Sequence, residues 1–268
     1  MLYFVSTPIG NMGDITYRAV ETLKSVDVIA CEDTRRSLAL LNRYDIKKEL
    51  IAYHKFNEVK ETEKITELLK AGKNVAVISD AGMPVISDPG NVLTKTLAKE
   101  NIPFTVIPGA NAALSALVLS GLSAENFTFI GFLPDKQKDK DRLIKRYENV
   151  PSTLIFYVAP HDVASVLTYL NDKFNGRKAA LVKEISKIHE TAYRFTFGDG
   201  FTLENPKGEF VLIVEGQKEV KNEFENLPIE KHIKMYIDEG LSKKDALKKV
   251  ADERGVSKNS LYKYTIDL

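Results

Sequence analysis

A single cysteine, Cys31, is present, so the chain can form neither an internal disulfide nor a thiolate-rich metal site. Cys31 lies in the apolar run that begins at Val26 and reads as a small core residue. The four histidines, His54, His161, His189 and His232, stand far apart without the spacing of metal ligands, and no metal site is expected. An excess of one charge is missing too. Thirty-eight Lys and Arg against 37 Asp and Glu leave a net charge of +1, so no global field draws the molecule to a polyanion and nucleic-acid binding must come from local patches. No apolar run approaches the roughly 20 residues of a membrane-spanning helix, and no membrane association is expected. The strand-like LYFVS at the N-terminus carries no charged n-region, apolar h-region or cleavage site, which points to a cytoplasmic location. A Walker A loop, a GxGxxG after a strand, a GxSxG elbow and a Cys-His pairing are all absent, and with them the usual signatures of nucleotide-binding and nucleophilic enzymes. Neither an internal repeat nor a low-complexity tract is found.

What remains is a globular composition, 44% hydrophobic and 28% charged over 268 residues, enough for one large or two compact domains. In the first half, short apolar runs read as strands buried on both faces: Leu2 to Ser6, Val26 to Ala30, Leu50 to Tyr53, Val75 to Ile78 and Phe104 to Ile107. They alternate with helical segments, from Ile15 to Ser25 with Asp14 as N-cap, around Leu38, Leu41 and Tyr44, from Thr62 to Lys70, from Val92 to Glu100 and from Ala112 to Leu119. This alternation is that of a mostly parallel sheet with helices on both faces. After Gly121 the texture becomes α+β. Strands are expected over Phe127 to Phe132, Thr153 to Val158 and Ala179 to Lys183, with a helix from His161 to Asn171. Thr191 to Phe197 and Glu209 to Val214 read as an antiparallel pair. The charged stretch DKQKDKDRLIKR reads as a loop flowing into a solvated helix. The domain reading is therefore an α/β domain over 1–122, an α+β domain with a mixed sheet over 123–220, a polar linker from Glu219 to Glu230, and a helical tail over 228–268. The tail's turn Gly255-Val256-Ser257 before a basic helix resembles a helix-turn-helix. Leu241 to Tyr264 carries seven Lys or Arg against three Asp or Glu, which fits either RNA docking or a small structural cap.

Three strand ends carry loops of small residues suited to a ligand: Ser6-Thr7-Pro8-Ile9-Gly10-Asn11, Ser79-Asp80-Ala81-Gly82, and Pro108-Gly109-Ala110-Asn111-Ala112. A second acidic turn, Ser87-Asp88-Pro89-Gly90, follows the middle one. A fourth strand end bears Cys31-Glu32-Asp33-Thr34-Arg35-Arg36, where an acid can take a proton from a hydroxyl and an arginine can clamp a phosphate. The same residues also read as a helix start with Asp33 or Thr34 as cap. His54-Lys55-Phe56-Asn57-Glu58 is a further polar loop of this kind.

Taken together, STPIGNMGDIT, CEDTRRSLALL, HKFNE, ISDAGMPVISDPG, IPGANAALSAL, FIGFLP, TLIFY, LVKEISKIHET, KGEFVLIVEG and GVSKNSLYKY resemble, in order from Leu2 to Tyr264, the bacterial 16S ribosomal RNA ribose 2′-O-methyltransferases of the RsmI type. These are members of the tetrapyrrole methylase superfamily. The resemblance implies two α/β domains with S-adenosylmethionine in a cleft between them, methylation of a cytidine ribose in 16S rRNA within the small ribosomal subunit, and a homodimer. It places the cofactor at Pro8, Ile9, Gly10, Asp80, Ala81, Gly82, Pro84, Asn111 and Ala112, and at Tyr157, Val158, Glu184 and Ile185 of the second domain. The catalytic segment is assigned to Glu32, Asp33 and Arg35, with Lys183 or His54 as a substitute base. Met83 stands where the family has Thr, Pro108-Gly109-Ala110-Asn111 where it has PGP-S, and Tyr157 to Asp162 where it has YESPHR. Asp135, Asp139 and Asp141 dilute its basic loop after FLP. A same-fold methyltransferase acting on a tetrapyrrole or other small molecule, and a non-catalytic ribosome-associated RNA-binding protein, are the alternatives.

Overall fold

The structure, a computed structural model, describes residues 1–217, 227–254 and 256–265. The chain divides into two compact units, Met1–Gln217 and Lys218–Leu268. In the first unit, β1 (Leu2–Val5), β2 (Val28–Cys31), β3 (Glu49–Ala52), β4 (Val75–Ile78) and β5 (Phe104–Ile107) form a sheet of order β3-β2-β4-β1-β5. Every neighbouring pair in it is parallel. β2 and β4 are buried at all four positions, as continuous apolar runs must be when helices cover both faces. Those helices are α1 (Tyr17–Ser25), α2 (Thr34–Arg43), α3 (Glu58–Lys70) and α4 (Asn91–Lys99). Leu2, Phe4, Val28, Ala30, Val75 and Val77 pack on one face with Ile65, Leu93 and Leu97, while Val5, Ile29, Cys31, Ala76 and Ile78 pack on the other with Ala19, Leu23 and Leu41.

The start of α1 differs from the sequence reading. Asn11 caps a short 3-10 turn over Met12–Asp14, and α1 begins only at Tyr17 with Thr16 accepting from the Ala19 amide. Asp14 thus closes one turn instead of opening the helix, because Asn11 and Thr16 supply the two caps on either side of it.

The helix α5 (Ala112–Ser120) leads into a second sheet of order β6-β7-β10-β8-β9, built from β6 (Phe127–Phe132), β7 (Thr153–Val158), β8 (Lys178–Lys183), β9 (Thr191–Thr196) and β10 (Phe210–Val214). β6 and β7 run parallel and the other pairs antiparallel. The expected pairing of β9 with β10 is not found. Each instead pairs with β8, which lies between them, since the connection from Phe197 to Glu209 is far longer than a hairpin turn and lets the chain cross the sheet. The charged stretch becomes α6 (Gln137–Tyr147), and α7 (Val163–Lys173) follows β7. Ala113, Ala116 and Leu117 of α5 lie against Ile155, Val182, Val211 and Ile213. Small residues on α5 allow this close approach, so the helix that ends the first sheet covers one face of the second.

The second unit contains α8 (Ile229–Asp238), α9 (Lys243–Arg254) and α10 (Lys258–Leu261) around Ile233, Tyr236, Leu247, Val250 and Leu261. Pro228 precedes α8 as its N-cap residue and Ile229 and Glu230 are already helical, so the polar linker read over Glu219 to Glu230 gives way to helix at its end. Residues 218–226 and Gly255 of the proposed turn lie outside the described residues. Ser257 caps α10, its hydroxyl accepting from the Ser260 amide. No described helix is long and apolar enough to cross a membrane.

Candidate active site

The carboxyl ends of β1, β2, β4 and β5 converge on a cleft that the second sheet closes. Its volume is about 450 Å³, within the roughly 300–1,000 Å³ of small-molecule sites. Two loops are stitched together at its base. The Thr7 amide donates to the Gly82 carbonyl (2.9 Å) and the Gly82 amide to the Thr7 carbonyl (3.1 Å). Thr7 Oγ1 also donates to the Ser79 carbonyl at 3.1 Å. Gly82 sits at φ +85°, and a Cβ there would stand 3.3 Å from Ile9 Cγ2, so a residue without a side chain is what lets the β1 and β4 loops meet.

Asp80 joins the ends of β4 and β2. Its Oδ1 accepts from the Asp33 amide at 3.1 Å and its Oδ2 from Arg36 Nη1 at 3.0 Å. One residue earlier than Asp33, Glu32 faces the cleft, and burial together with the Asp80 charge pushes its carboxyl above the usual carboxylate range. Asp88 lines the same cleft. Burial, then the charges of Glu32 and Asp80, push it up to about 7, with the Ser79 hydroxyl acting in the other direction. Ile9, Ile185, Phe210 and Val211 contribute apolar surface to the cleft. Tyr157 stands edge-on to Phe129 and Phe132, with ring centroids 5.1 and 5.5 Å apart.

The cleft gathers ten of the residues read from the sequence: Glu32, Ile9, Asp80, Ala81, Gly82, Asn111, Ala112, Tyr157, Val158 and Ile185. Six others do not line it. Pro8 and Pro84 are buried and contribute nothing to its lining. Gly10 packs on Lys187, where a Cβ would come within 2.5 Å of Cγ. Glu184 turns away to hold its own loop, accepting from Lys187 Nζ at 2.8 Å and from the Glu209 amide at 2.9 Å. Asp33 is the N-cap of α2, its Oδ1 accepting from the Arg35 amide at 2.8 Å. The Arg35 guanidinium pairs with the same carboxylate at 3.2 and 3.0 Å and lowers it to about 2. The Arg35 side chain is 88% exposed, on the outer side of the helix start. His54 has its Nδ1 buried without a hydrogen-bond partner, and neither it nor Lys183 reaches the cleft.

Several lining residues were not singled out in the sequence. Met83, Arg36, Ser87 and Asp88 stood in motifs already noted but without a role. Ala159, Pro160, Phe132, Glu209, Phe210 and Val211 lie in segments that carry the resemblance but were given no place in a site, because they arrive from the second half of the chain.

A profile of the tetrapyrrole (corrin/porphyrin) methylases matches residues 1–199. The "Ribosomal RNA small subunit methyltransferase I" of Bacillus subtilis (strain 168) is 41% identical over 270 residues, spanning 98% of this chain and 92% of that protein. A protein of the same name from Thermotoga maritima (strain ATCC 43589 / DSM 3109 / JCM 10099 / NBRC 100826 / MSB8) is 39% identical over 220 residues, 81% of this chain and 99% of its own length. Among solved structures, the uroporphyrin-III C-methyl transferase from Thermus thermophilus complexed with S-adenosyl homocysteine is similar with a TM-score of 0.55, over 80% of this chain and 96% of that one. At 18% identity that likeness is one of fold.

Proposed function

The chain belongs to the tetrapyrrole (corrin/porphyrin) methylase family, and from that membership we propose that it transfers a methyl group from S-adenosylmethionine to small-subunit ribosomal RNA, at the ribose 2′-hydroxyl of a cytidine. The observation that carries the reading is 41% identity across nearly the whole of both chains to a protein named for that RNA. A same-fold enzyme for a small molecule would not need the outward Arg35.

The residues of the cleft fit the cofactor. Asp80 offers a carboxylate for an ammonium group, and the amides that open α5 after Asn111 suit a carboxylate. Ile9, Ile185, Phe210 and Val211 suit an adenine. When bound, S-adenosylmethionine supplies a methyl group already activated on a sulfonium. The chain's own task is then to position a ribose hydroxyl in line and to receive its proton. Glu32, Asp33 and Arg35 are the proposed catalytic segment. Glu32 faces the hydroxyl from the cleft, and Asp33 fixes the guanidinium of Arg35, which holds a neighbouring phosphate. The wider reading is of a cytoplasmic homodimer acting on the assembled small subunit. The edge strand β5, with Phe104 39% and Val106 45% exposed, supports the homodimer.

Two measurements test this. S-adenosylmethionine is expected to raise the unfolding midpoint, since it binds the native state, and labelled methyl is expected to pass to small-subunit particles at one ribose 2′-oxygen. A midpoint indifferent to saturating cofactor, or label confined to a tetrapyrrole, overturns the reading.

The tail gives a separate expectation. Because a relative of the same name matches only 81% of this chain, the chain cut after Gln217 is expected to keep its cofactor affinity. Loss of the seven Lys and Arg between Leu241 and Tyr264 is expected to weaken RNA binding and to flatten its salt dependence by about 0.7 in log–log slope per lost phosphate contact. An unchanged slope would make the tail a structural cap.

A further inference from the structure

Asp33, Asp80 and Glu209 are each held by a cation, whereas Glu32 and Asp88 form no ion pair among the described residues. Asp80 is engaged by Arg36 and by the Asp33 amide, and Asp33 by Arg35. Asp88 lines the cleft with Glu32 and Asp80. An acid that is to receive a proton must be free of such partners and within reach of the reacting group.

The backbone that carries Asp88 is held in an uncommon conformation. Val85 lies at φ 76° and Ser87 at φ 69°, a region that L-residues rarely adopt and a β-branched one least of all. The turn is wedged from three sides. A Cβ on Gly90 would meet Val85 Cγ2 at 2.7 Å, and one on Gly131 of β6 would meet Ser87 Oγ at 3.3 Å. Glu58 Oε1, reaching over from α3, accepts from the amides of Gly90 at 2.8 Å and Val92 at 3.0 Å. Strain of this kind persists where the surroundings over-determine it, and it clusters at functional sites. Here its result is a carboxylate fixed on the cleft wall.

We propose that Asp88, presented by the strained turn from Val85 to Ser87, is a catalytic residue that accepts the proton of the ribose hydroxyl during methyl transfer. The proposal rests on the methyltransferase reading above. In the step, the hydroxyl oxygen forms the new bond to the methyl carbon while the carbon–sulfur bond breaks and its electron pair passes to sulfur. The hydroxyl proton passes to Asp88, which releases it to water.

Glu32 at the end of β2, Asp80 after β4 and the Ser79 hydroxyl act on Asp88 directly. Arg36 of α2, Tyr157 of β7 and Glu209 before β10 are the other titratable groups lining the cleft. Burial and the two nearby acids bring its carboxyl to about 7, which matches a base to neutral pH. Asp33, near 2 under the Arg35 guanidinium, holds protons far too weakly for the task.

The test compares Asp88→Asn and Asp88→Glu with the unaltered chain. Asp88→Asn is expected to bind S-adenosylmethionine within a few-fold of normal and to lose at least about a hundredfold in kcat, the lower end for loss of a general base. The rise in rate through about pH 7 is expected to disappear with it, and Asp88→Glu to restore part of both. A second readout needs no cofactor. A carboxyl whose folded-state pKa is raised from 3.8 to about 7 binds its proton more tightly when folded. It therefore weakens the fold increasingly as pH rises from near 4 to 7. Asp88→Asn should accordingly unfold at a higher temperature than the unaltered chain at pH 8, with the gain gone near pH 4. Failure of the unaltered chain to methylate small-subunit particles would strike the methyltransferase reading itself. An active unaltered chain with near-normal kcat and an unmoved pH profile in Asp88→Asn would overturn the role of Asp88 alone.

Discussion

Glu32→Gln is expected to lower methyl transfer by at least about a hundredfold, with S-adenosylmethionine affinity kept within a few-fold and the acid limb of the pH–rate profile moved to lower pH. Of the proposed catalytic segment, Glu32 faces the cleft, whereas Asp33 and Arg35 close on each other at the start of α2. Glu32 is also one of the two charges that raise Asp88, so its neutralisation lets the Asp88 proton leave at lower pH. The size of the loss separates two roles. A weaker base alone costs less than the change in its acidity, because proton transfer follows only a fraction of it. A drop of under about tenfold with a shifted limb would therefore mean that Glu32 acts only through Asp88. A hundredfold drop means that it also orients the hydroxyl, since in-line attack tolerates little misplacement. Normal transfer with an unmoved limb would reduce the Glu-Asp-Thr-Arg stretch to a helix start.

That stretch shows why strand ends are legible and their chemistry is less so. The central strands β1, β2 and β4 are short apolar runs because both their faces are buried. A run of that kind survives in the sequence without any tertiary knowledge, whereas the edge strands β3 and β5 are partly exposed. The residues that follow β1, β2, β4 and β5, namely Ile9, Glu32, Asp80 and Asn111, end at the same edge. What cannot be read locally is which side chain turns inward. Glu32 and Asp33 are neighbours, yet one enters the cleft and the other caps α2. Gly10 and Glu184 sit in the right loops, but Lys187 accounts for both: it packs over the one and pairs with the other.

The second sheet hides more. Phe210 and Val211, which line the cleft, open β10, a strand that arrives after a long connection and inserts between β7 and β8. Nothing in that segment marks it as lining a site. The elevation of Asp88 is equally invisible in sequence, because it arises from burial and from two acids 8 and 56 residues away. It exists only once the β2 and β4 ends have come together.

Asp80 gives the last test, since the same carboxylate both binds and builds. Asp80→Ala is expected to weaken S-adenosylmethionine by about 1–3 kcal/mol, the range for a buried polar group left without its partner, which is roughly 5- to 150-fold in Kd. Part of that loss is architectural. The Asp33 amide and the Arg36 guanidinium both bond to Asp80, and its removal frees the β2 end from the β4 end. Asp80→Asn separates the two contributions. It keeps an oxygen for the Asp33 amide but loses the charge that an ammonium group and Arg36 require. If the cofactor's ammonium rests on Asp80, calorimetry with the asparagine variant will show most of the loss seen with alanine, while the unfolding midpoint stays near normal. If Asp80 only ties the strand ends together, asparagine will bind nearly as well as aspartate and the deficit will belong to alanine alone. Unchanged affinity in both variants would remove Asp80 from the cofactor site and shift the ammonium to another acid of the cleft.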